Sequence, residues 1–411
     1  MPNRPLSIFV HRASQHLTDH DPHGDGLICF SLLNGLATRG HRVVAVADTA
    51  AVANGHPGLE IMEGRHRSPA NALGPWELGW RADRLLARLH RGRPFDLVWR
   101  MHPYGVGCPT PPVTGGLPLV VGPLFYDWPA AAHDAVAARP RLGIGIAPLL
   151  APLAALGWRR TLRRADLIVC ATPRHADVVR ADAPRARVEP LPVIVPPPRV
   201  APAVVAAPAD QVLRLVHVGN LHQRKDPLLF CRIVRRLRDA GRHVEGLLVG
   251  DGPERPAVER FVSEHRLSPA VRLVGQVPNS AVPQYLAGAS FLVSTAVGEP
   301  YGRNVVEAMA AGIPCVCHAS GGPADLIADG TTGILVAAAD DAAYATAIAD
   351  AWDAPETVGR LGRAAAAAAA AWRPDAVLDR LEQLLRDSVA GRGDRPALAP
   401  RGAVPTAAVR S

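Results

Sequence analysis

Cysteine is scarce in this sequence, with six residues in 411. Cys29, Cys108, Cys170, Cys231, Cys315 and Cys317 show neither a disulfide framework nor a metal-ligand spacing, which excludes a stapled scaffold and fits a reduced, cytosolic setting. Cys315 and Cys317 alternate along an apolar run and read as one face of a buried strand. No run reaches the roughly 18 apolar residues of a membrane helix. The opening MPNRPLSIFVH lacks the apolar core and cleavage site of a secretory signal, so the expectation is a chain neither membrane-spanning nor secreted by these routes. Zinc-finger spacings, a basic heptad region and an aromatic-basic ribonucleoprotein motif are missing too. The arginines are scattered among alanines, and nucleic acid is not an expected partner.

What is present describes a globular chain of two to three domains, each able to bury a core, with 48% apolar and 20% charged residues. A formal charge of +8 suits anionic ligands, either a nucleotide diphosphate or an acidic membrane surface.

Residues 299–333 carry the densest chemical information. Glu299 and Glu307 are separated by seven residues, and Pro300, Tyr301 and Gly302 turn the backbone into the helix implied by VVEAMAAG. A helix N-terminus offers unpaired N–H groups and a positive dipole end, and Gly302 gives a diphosphate room to approach. An ionised carboxylate with two acceptor oxygens suits a vicinal diol, so Glu307 is a candidate for a ribose and Glu299 for the hydroxyls of a donor sugar. Tyr301, Gly302 and Arg303, at the turn, are candidates for the same ligand. Spacing alone leaves Glu307 open to a plainer role, a solvated glutamate favoured by the helix dipole.

The whole string, EPYGRNVVEAMAAGIP followed by Gly-Gly, Asp-Gly and a final Gly, resembles the signature of the family 4 retaining glycosyltransferases, also called glycosyl transferases group 1. The resemblance is strong over residues 212–340 and looser before them. It implies the GT-B architecture, two Rossmann-like α/β domains facing across a cleft. It further implies transfer of a hexosyl group from a nucleoside diphosphate sugar to an acceptor hydroxyl with retained configuration, with no metal or other cofactor. In the mechanism usually drawn, attack comes from the face the phosphate leaves, and the leaving phosphate helps accept the acceptor's proton.

Along the chain, residues 6–10 form an apolar run, then a His-, Asp- and Gly-rich loop, then a helical pattern over about 27–39 ended by Gly40, a unit that opens nucleotide-binding sheets. Gly24 and Gly26 in that loop are placed for close backbone approach to a phosphate or acceptor, with a plain turn as the alternative. His16, His20 and His23, beside Asp19, Asp21 and Asp25, lack a helix-borne metal spacing and read as acceptor contacts or solvated groups. Runs at 42–47, 96–101, 117–121 and 166–170 are continuously apolar, as strands of a parallel sheet covered on both faces. His102 follows one of them, and the resemblance makes it a candidate at the reacting centre. Residues 143–157 are the most apolar stretch, and Arg159, Arg160, Arg163 and Arg164 follow. A core helix kinked by Pro148 and Pro152 is favoured there over an interfacial helix on an anionic membrane. Residues 189–208 are dense in proline and valine and read as a linker, with the boundary near residue 200.

The second half opens with a strand at 213–218 and the loop from Gly219 and Asn220 to Arg224 and Lys225, then a helix to about 240. Lys225 is a compact cation suited to a departing diphosphate. Family loops usually begin Gly-Arg, with a lysine five residues after the arginine. Lys225 matches, but Asn220 stands at the arginine position, which leaves two alternatives, no two-cation clamp or one in which Arg224 is the candidate replacement. Further strands at 247–252, 271–277, 291–296, 314–318 and 334–336 alternate with helices and argue a second parallel sheet. The alanines 364–371 read as helix.

The expected domains are 1–200 on the acceptor side, 201–371 for the nucleotide sugar, a helix at 372–388 crossing back to the first domain, and a disordered tail at 389–411. Partners are the nucleotide sugar and an acceptor that is a glycan, lipid or secondary metabolite, in the cytoplasm or peripheral at the inner face of the membrane. The alternatives are another GT-B enzyme, an epimerase or phosphorylase, or an inactive sugar-nucleotide binding subunit, for which Asn220 is the hint.

Overall fold

The computed structural model describes residues 4–21, 24–64, 74–101, 114–125, 147–194, 212–354 and 356–391. Its first domain runs β1 (Ser7–Arg12), β2 (His16–Thr18), α1 (Gly24–Thr38), β3 (Arg42–Ala47), β4 (Thr49–Ala51), β5 (Leu59–Glu63), α2 (Gly74–Gly92), β6 (Leu97–Arg100), β7 (Leu119–Leu124), α3 (Ala147–Arg164), β8 (Leu167–Cys170), α4 (Pro173–Asp182) and β9 (Arg187–Pro190). Seven strands form a sheet in the order β5-β3-β1-β6-β7-β8-β9, every pairing parallel. The strands β6, β7 and β8 are buried at every residue. One core layer packs α1 and the other packs α2, α3 and α4, which is why these strands read as unbroken apolar runs.

The second domain runs β10 (Leu213–Val218), α5 (Pro227–Asp239), β11 (Val244–Val249), α6 (Arg255–Glu264), β12 (Val271–Gly275), α7 (Val282–Leu286), β13 (Phe291–Ser294), α8 (Arg303–Ala310), β14 (Cys315–His318), α9 (Pro323–Leu326), β15 (Gly333–Val336), α10 (Asp341–Asp353), α11 (Thr357–Ala369) and α12 (Pro374–Ala390). Its six-stranded sheet, β12-β11-β10-β13-β14-β15, is also all parallel. The strand order reverses beside β10, and such switch points open a crevice at the carboxyl ends of the strands. Two doubly wound parallel sheets make the GT-B architecture.

Two details differ from the sequence reading. The first helix starts at Gly24, so Gly24 and Gly26 form its first turn rather than a loop. Glu189 and Pro190 belong to β9, so the last strand of the first sheet reaches into the stretch read as linker. Proline at the strand's last residue withholds a donor where the edge needs none. The helix expected with a basic end is present as α3, Ala147–Arg164, with Arg159, Arg160, Arg163 and Arg164 exposed. Cys315 and Cys317 lie on one face of β14 in one core layer, with Val316 in the other. Residues 195–211, the tail 392–411, Cys108, His23 and His102 lie outside the described residues.

The last helix, α12, returns to the first domain. It buries Val377, Leu378, Leu381, Leu384 and Leu385, and Leu378 lies over Gly35 of α1, where a Cβ would come within 2.6 Å of it. Arg39 bonds Asp379 at 2.6 Å, Arg380 bonds Glu189 at 2.8 Å and Arg187 bonds Asp387 at 2.9 Å. Those pairs are exposed and contribute little beyond register, whereas each buried leucine contributes about 1.5–3 kcal/mol. Leu381→Ala should therefore cost about 2–5 kcal/mol in thermal or denaturant unfolding, and Asp379→Ala less than about 1 kcal/mol. Equal effects would mean that the ion pairs hold the helix.

Candidate functional site

The site assembles at the carboxyl ends of β10, β13 and β14. After β10, the Gly219 N–H donates to the Val249 carbonyl at 3.0 Å. Gly250, at φ 138°, approaches so closely that a Cβ there would stand 1.9 Å from the Gly219 oxygen. Asn220 is exposed, and its amide oxygen lies where a Cβ on Gly252 would fall, at 2.3 Å. Residues Gln223–Lys225 form one 3-10 turn, capped by His222. Asp226 takes a left-handed φ of 37° and caps α5 by accepting from Leu229 N at 3.0 Å. The Thr295 hydroxyl, just past β13, lies 2.6 Å from the Lys225 carbonyl and 2.9 Å from that of Asp226, pinning the turn to the second sheet.

That anchoring aims the Lys225 ammonium at Glu299, with which it forms a largely buried ion pair. Arg224, on the same turn, is exposed. One signal escapes motif and spacing arguments: of the 45 lysine and arginine residues, Lys225 is the only lysine. Arginine serves at every other cationic position, so the site singles out the compact ammonium. Beneath the pair, His217 is buried on β10, its Nδ1 3.2 Å from the Val293 carbonyl. Burial first, then the Lys225 charge, lowers its pKa to about 4 and keeps it neutral. Cys317 also stays a neutral thiol, its pKa pushed far up by burial and by Glu299.

The Gly-Gly of the motif explains the placement of Glu299. Gly322 N–H donates to the Glu299 carbonyl at 2.7 Å, and Gly298 N–H to the Ser320 hydroxyl at 2.9 Å. A Cβ on Gly321, which sits at φ 64°, would lie 2.3 Å from the Glu299 oxygen, and one on Gly322 2.3 Å from the Tyr301 oxygen. The two backbones lie against each other with no side chain between them.

Gly302, at φ 92°, caps the start of α8. Asn304 ties that start to β10 by donating to the Val218 carbonyl at 2.9 Å. One turn in, Glu307 is largely buried and pairs with Arg303 at 2.9 Å; burial raises its pKa and Arg303 opposes the rise. The solvated-glutamate reading therefore does not hold. The Tyr301 side chain faces elsewhere: its hydroxyl accepts from Val193 N–H at 3.2 Å, and its ring meets Phe125 edge to face at 5.9 Å. It joins the domains, as does Arg174 on α4, 3.3 Å from the buried Asp325 of α9. Gly24 and Gly26 sit on the first domain, with open space where a Cβ on Gly24 would fall. His16 pairs with Asp21 at 2.7 Å and His20 with Asp19 at 2.6 Å. Among the described residues, no larger cluster of metal-ligand side chains forms.

A cation, a helix N-terminus and two carboxylates thus share one strand-end crevice, a combination matched to a diphosphate joined to hydroxyl-rich groups.

Gly322→Ala should force residues 299–301 away from β14 and lower stability by about 1–3 kcal/mol, with a loss of site ligand affinity that exceeds the loss seen for Leu381→Ala. A neutral buried histidine stabilises the fold above its unfolded pKa near 6.5, and that contribution is lost as pH falls toward about 4. Unfolding midpoints should drop over that window, and His217→Leu should flatten the slope; an unchanged slope would exclude His217 as its source.

Residues 213–354 match the family model described as glycosyl transferases group 1. Over 218 residues the chain is 32% identical to a 2-deoxystreptamine glucosyltransferase of Streptomyces kanamyceticus, covering 50% of this chain and 56% of that protein. Over 173 residues it is 31% identical to a D-inositol 3-phosphate glycosyltransferase of Streptomyces avermitilis, covering 40% and 37%. The chain thus spans about half, or less, of the length of these curated relatives. Among solved structures, sucrose-phosphate synthase from Thermosynechococcus elongatus superposes with a TM-score of 0.71 at 19% identity, covering 95% of this chain and 100% of that one. Anabaena HepE, solved with UDP-glucose, gives 0.65 at 17% identity, covering 93% and 100%. At such identities the likeness shows the two-domain fold alone. The residues that match the glycosyl transferases group 1 model, 213–354, are those that hold Lys225, Glu299, Gly302 and Glu307.

Proposed function

We propose that this chain is a retaining glycosyltransferase that moves a hexosyl group from a nucleoside diphosphate sugar to an acceptor hydroxyl. The observation that carries the reading is the convergence of Lys225, Glu299 and the start of α8 with Glu307 at the switch point of the second sheet. Lys225, helped by Arg224 and the backbone at Gly219 and Asn220, takes the diphosphate and stabilises its departure. Glu307, held by Arg303, accepts from the ribose hydroxyls. Glu299 and the backbone at Tyr301 and Gly302 take the donor sugar. His102 assists at the reacting centre, and Gly24 and Gly26, at the α1 N-terminus, face the phosphate or the acceptor. The bond from the anomeric carbon to the phosphate oxygen breaks as the acceptor oxygen attacks from the same face, and the departing phosphate takes the acceptor's proton. No metal enters this scheme.

The solved HepE complexes with UDP and UDP-glucose support starting with a uridine donor. Relatives named for 2-deoxystreptamine and inositol phosphate, both polyhydroxylated six-membered rings, support a small cyclitol as the acceptor class. Calorimetry against a panel of nucleoside diphosphates and their sugars should find one nucleotide bound with a micromolar Kd, weakened at least about tenfold by Lys225→Ala and by Glu307→Ala. Binding of no member by the folded protein would point to a degenerate site, and the transferase reading would fall.

No helix among the described residues is long and apolar enough to cross a membrane. The exposed Arg159, Arg160, Arg163 and Arg164 support a peripheral contact with an anionic bilayer. Vesicles containing anionic lipid should sediment the protein and release it when all four become alanine; sedimentation indifferent to those charges removes the contact.

A further inference from the structure

Lys225 is the only lysine of the chain and Glu299 is the carboxylate that holds it. Both belong to the donor site, yet two anions cannot share one ammonium at full strength. Among the described residues, Lys225 is the cation that forms an ion pair with Glu299. His217 and Cys317 beneath the pair are neutral, and Arg303 is committed to Glu307 at 2.9 Å. Nor is Glu299 on a loop that swings freely. Its carbonyl is fixed by Gly322 N–H at 2.7 Å, and Gly321 and Gly322 pack directly on residues 299–301. Thr295 fixes the lysine turn from below. The carboxylate therefore stays at the site and needs hydrogen-bond donors there whether or not it has the ammonium.

We propose that Glu299 discriminates the sugar-bearing donor from the spent nucleotide by competing with the diphosphate for Lys225. A nucleoside diphosphate reaches the ammonium only by displacing Glu299, and it brings no donor to the released carboxylate. A nucleoside diphosphate sugar brings sugar hydroxyls that take the carboxylate up. Once the sugar has been transferred, Glu299 returns to Lys225 and weakens the hold on the product, so the same carboxylate that recognises the donor speeds release of the nucleotide. This inference rests on the donor-site reading above and adds to it a reason for the lysine to be paired at all.

The test is Glu299→Gln, which keeps the shape and removes the charge. Calorimetry should show the nucleoside diphosphate binding about fivefold tighter to the variant than to the unaltered protein. Its sugar conjugate should bind no tighter, so the preference for donor over product falls by the same factor. In turnover assays the inhibition constant of the product nucleotide should fall while donor KM does not. An equal or weaker affinity of Glu299→Gln for the nucleoside diphosphate, with its unfolding midpoint unchanged, overturns the proposal and leaves the donor-site reading standing, provided that Lys225→Ala still weakens binding at least about tenfold. Loss of nucleotide binding in the unaltered protein would instead sink the donor-site reading itself. The sole lysine gives an independent readout: after 13C-methylation it yields one ε-amine resonance. The nucleoside diphosphate should shift that resonance, and a fixed resonance during binding seen by calorimetry also overturns the proposal.

Discussion

The site depends on backbone meeting backbone with no side chain between. Gly250 lies against Gly219, Gly252 against Leu221, and Gly321 and Gly322 against residues 299–301. At each of these places a Cβ would stand 1.9–2.5 Å from a neighbouring atom, far inside contact distance. The glycines thereby set the separation of three strand-end loops, and that separation decides where the Lys225 and Glu299 side chains arrive. The motif's glycines are better understood as spacers between loops than as ligand contacts, with Gly302 the exception, because its φ of 92° shapes the start of α8. A substitution at a spacer would move the charged pair without touching either member of it.

Charge is arranged around the same geometry. Most arginines for which ion pairs are described lie at the surface and match a nearby carboxylate, as Arg242 does with Asp353 at 2.6 Å. Such pairs are screened and worth little individually. In the crevice the ion pairs Lys225–Glu299 and Arg303–Glu307 are largely buried and face a common strand end. Beneath Lys225 and Glu299 the ionisable groups are held neutral by burial. Any change of charge on ligand binding is therefore felt first by these two pairs, in a setting where a lost partner is costly.

Much of this was legible in the sequence, and for physical reasons. The run 42–47 reads as a strand and is one, because a parallel sheet buried on both faces leaves no polar alternation to confuse with a helix. The helix after Gly302, the buried face of Cys315 and Cys317, and the loop carrying Lys225 followed from local chemistry of the same kind. Elsewhere a local rule was overridden by tertiary context. Pro190 ends an edge strand that proline density assigned to a linker. The three-residue strands β2 and β4 pair only with each other, too short for any periodic signal. Gly24 joined a helix because α1 has the first sheet to pack on. Tyr301, inside the most recognisable motif of the chain, sends its side chain to Val193, 108 positions away in sequence, a contact no local pattern encodes.

That contact ties the loop carrying Glu299 to the domain seam. Tyr301 immediately precedes the residue that caps α8, its hydroxyl holds the backbone of the first domain, and its carbonyl rests against Gly322. Phe125 packs on its ring from the end of β7, and Arg174 reaches Asp325 two residues after Pro323, whose ring lies over Gly302. A rotation of one domain on the other that stretched these links would pull first on residues 301 and 322. Of these, Gly322 fixes the carbonyl of Glu299 through its N–H. The seam and the ion pair are thus joined through a few backbone atoms, while α12, with its leucines buried between the domains, holds the far end of the chain against α1. The arrangement gives the two domains a shared boundary at the very loop that positions the Glu299 carboxylate.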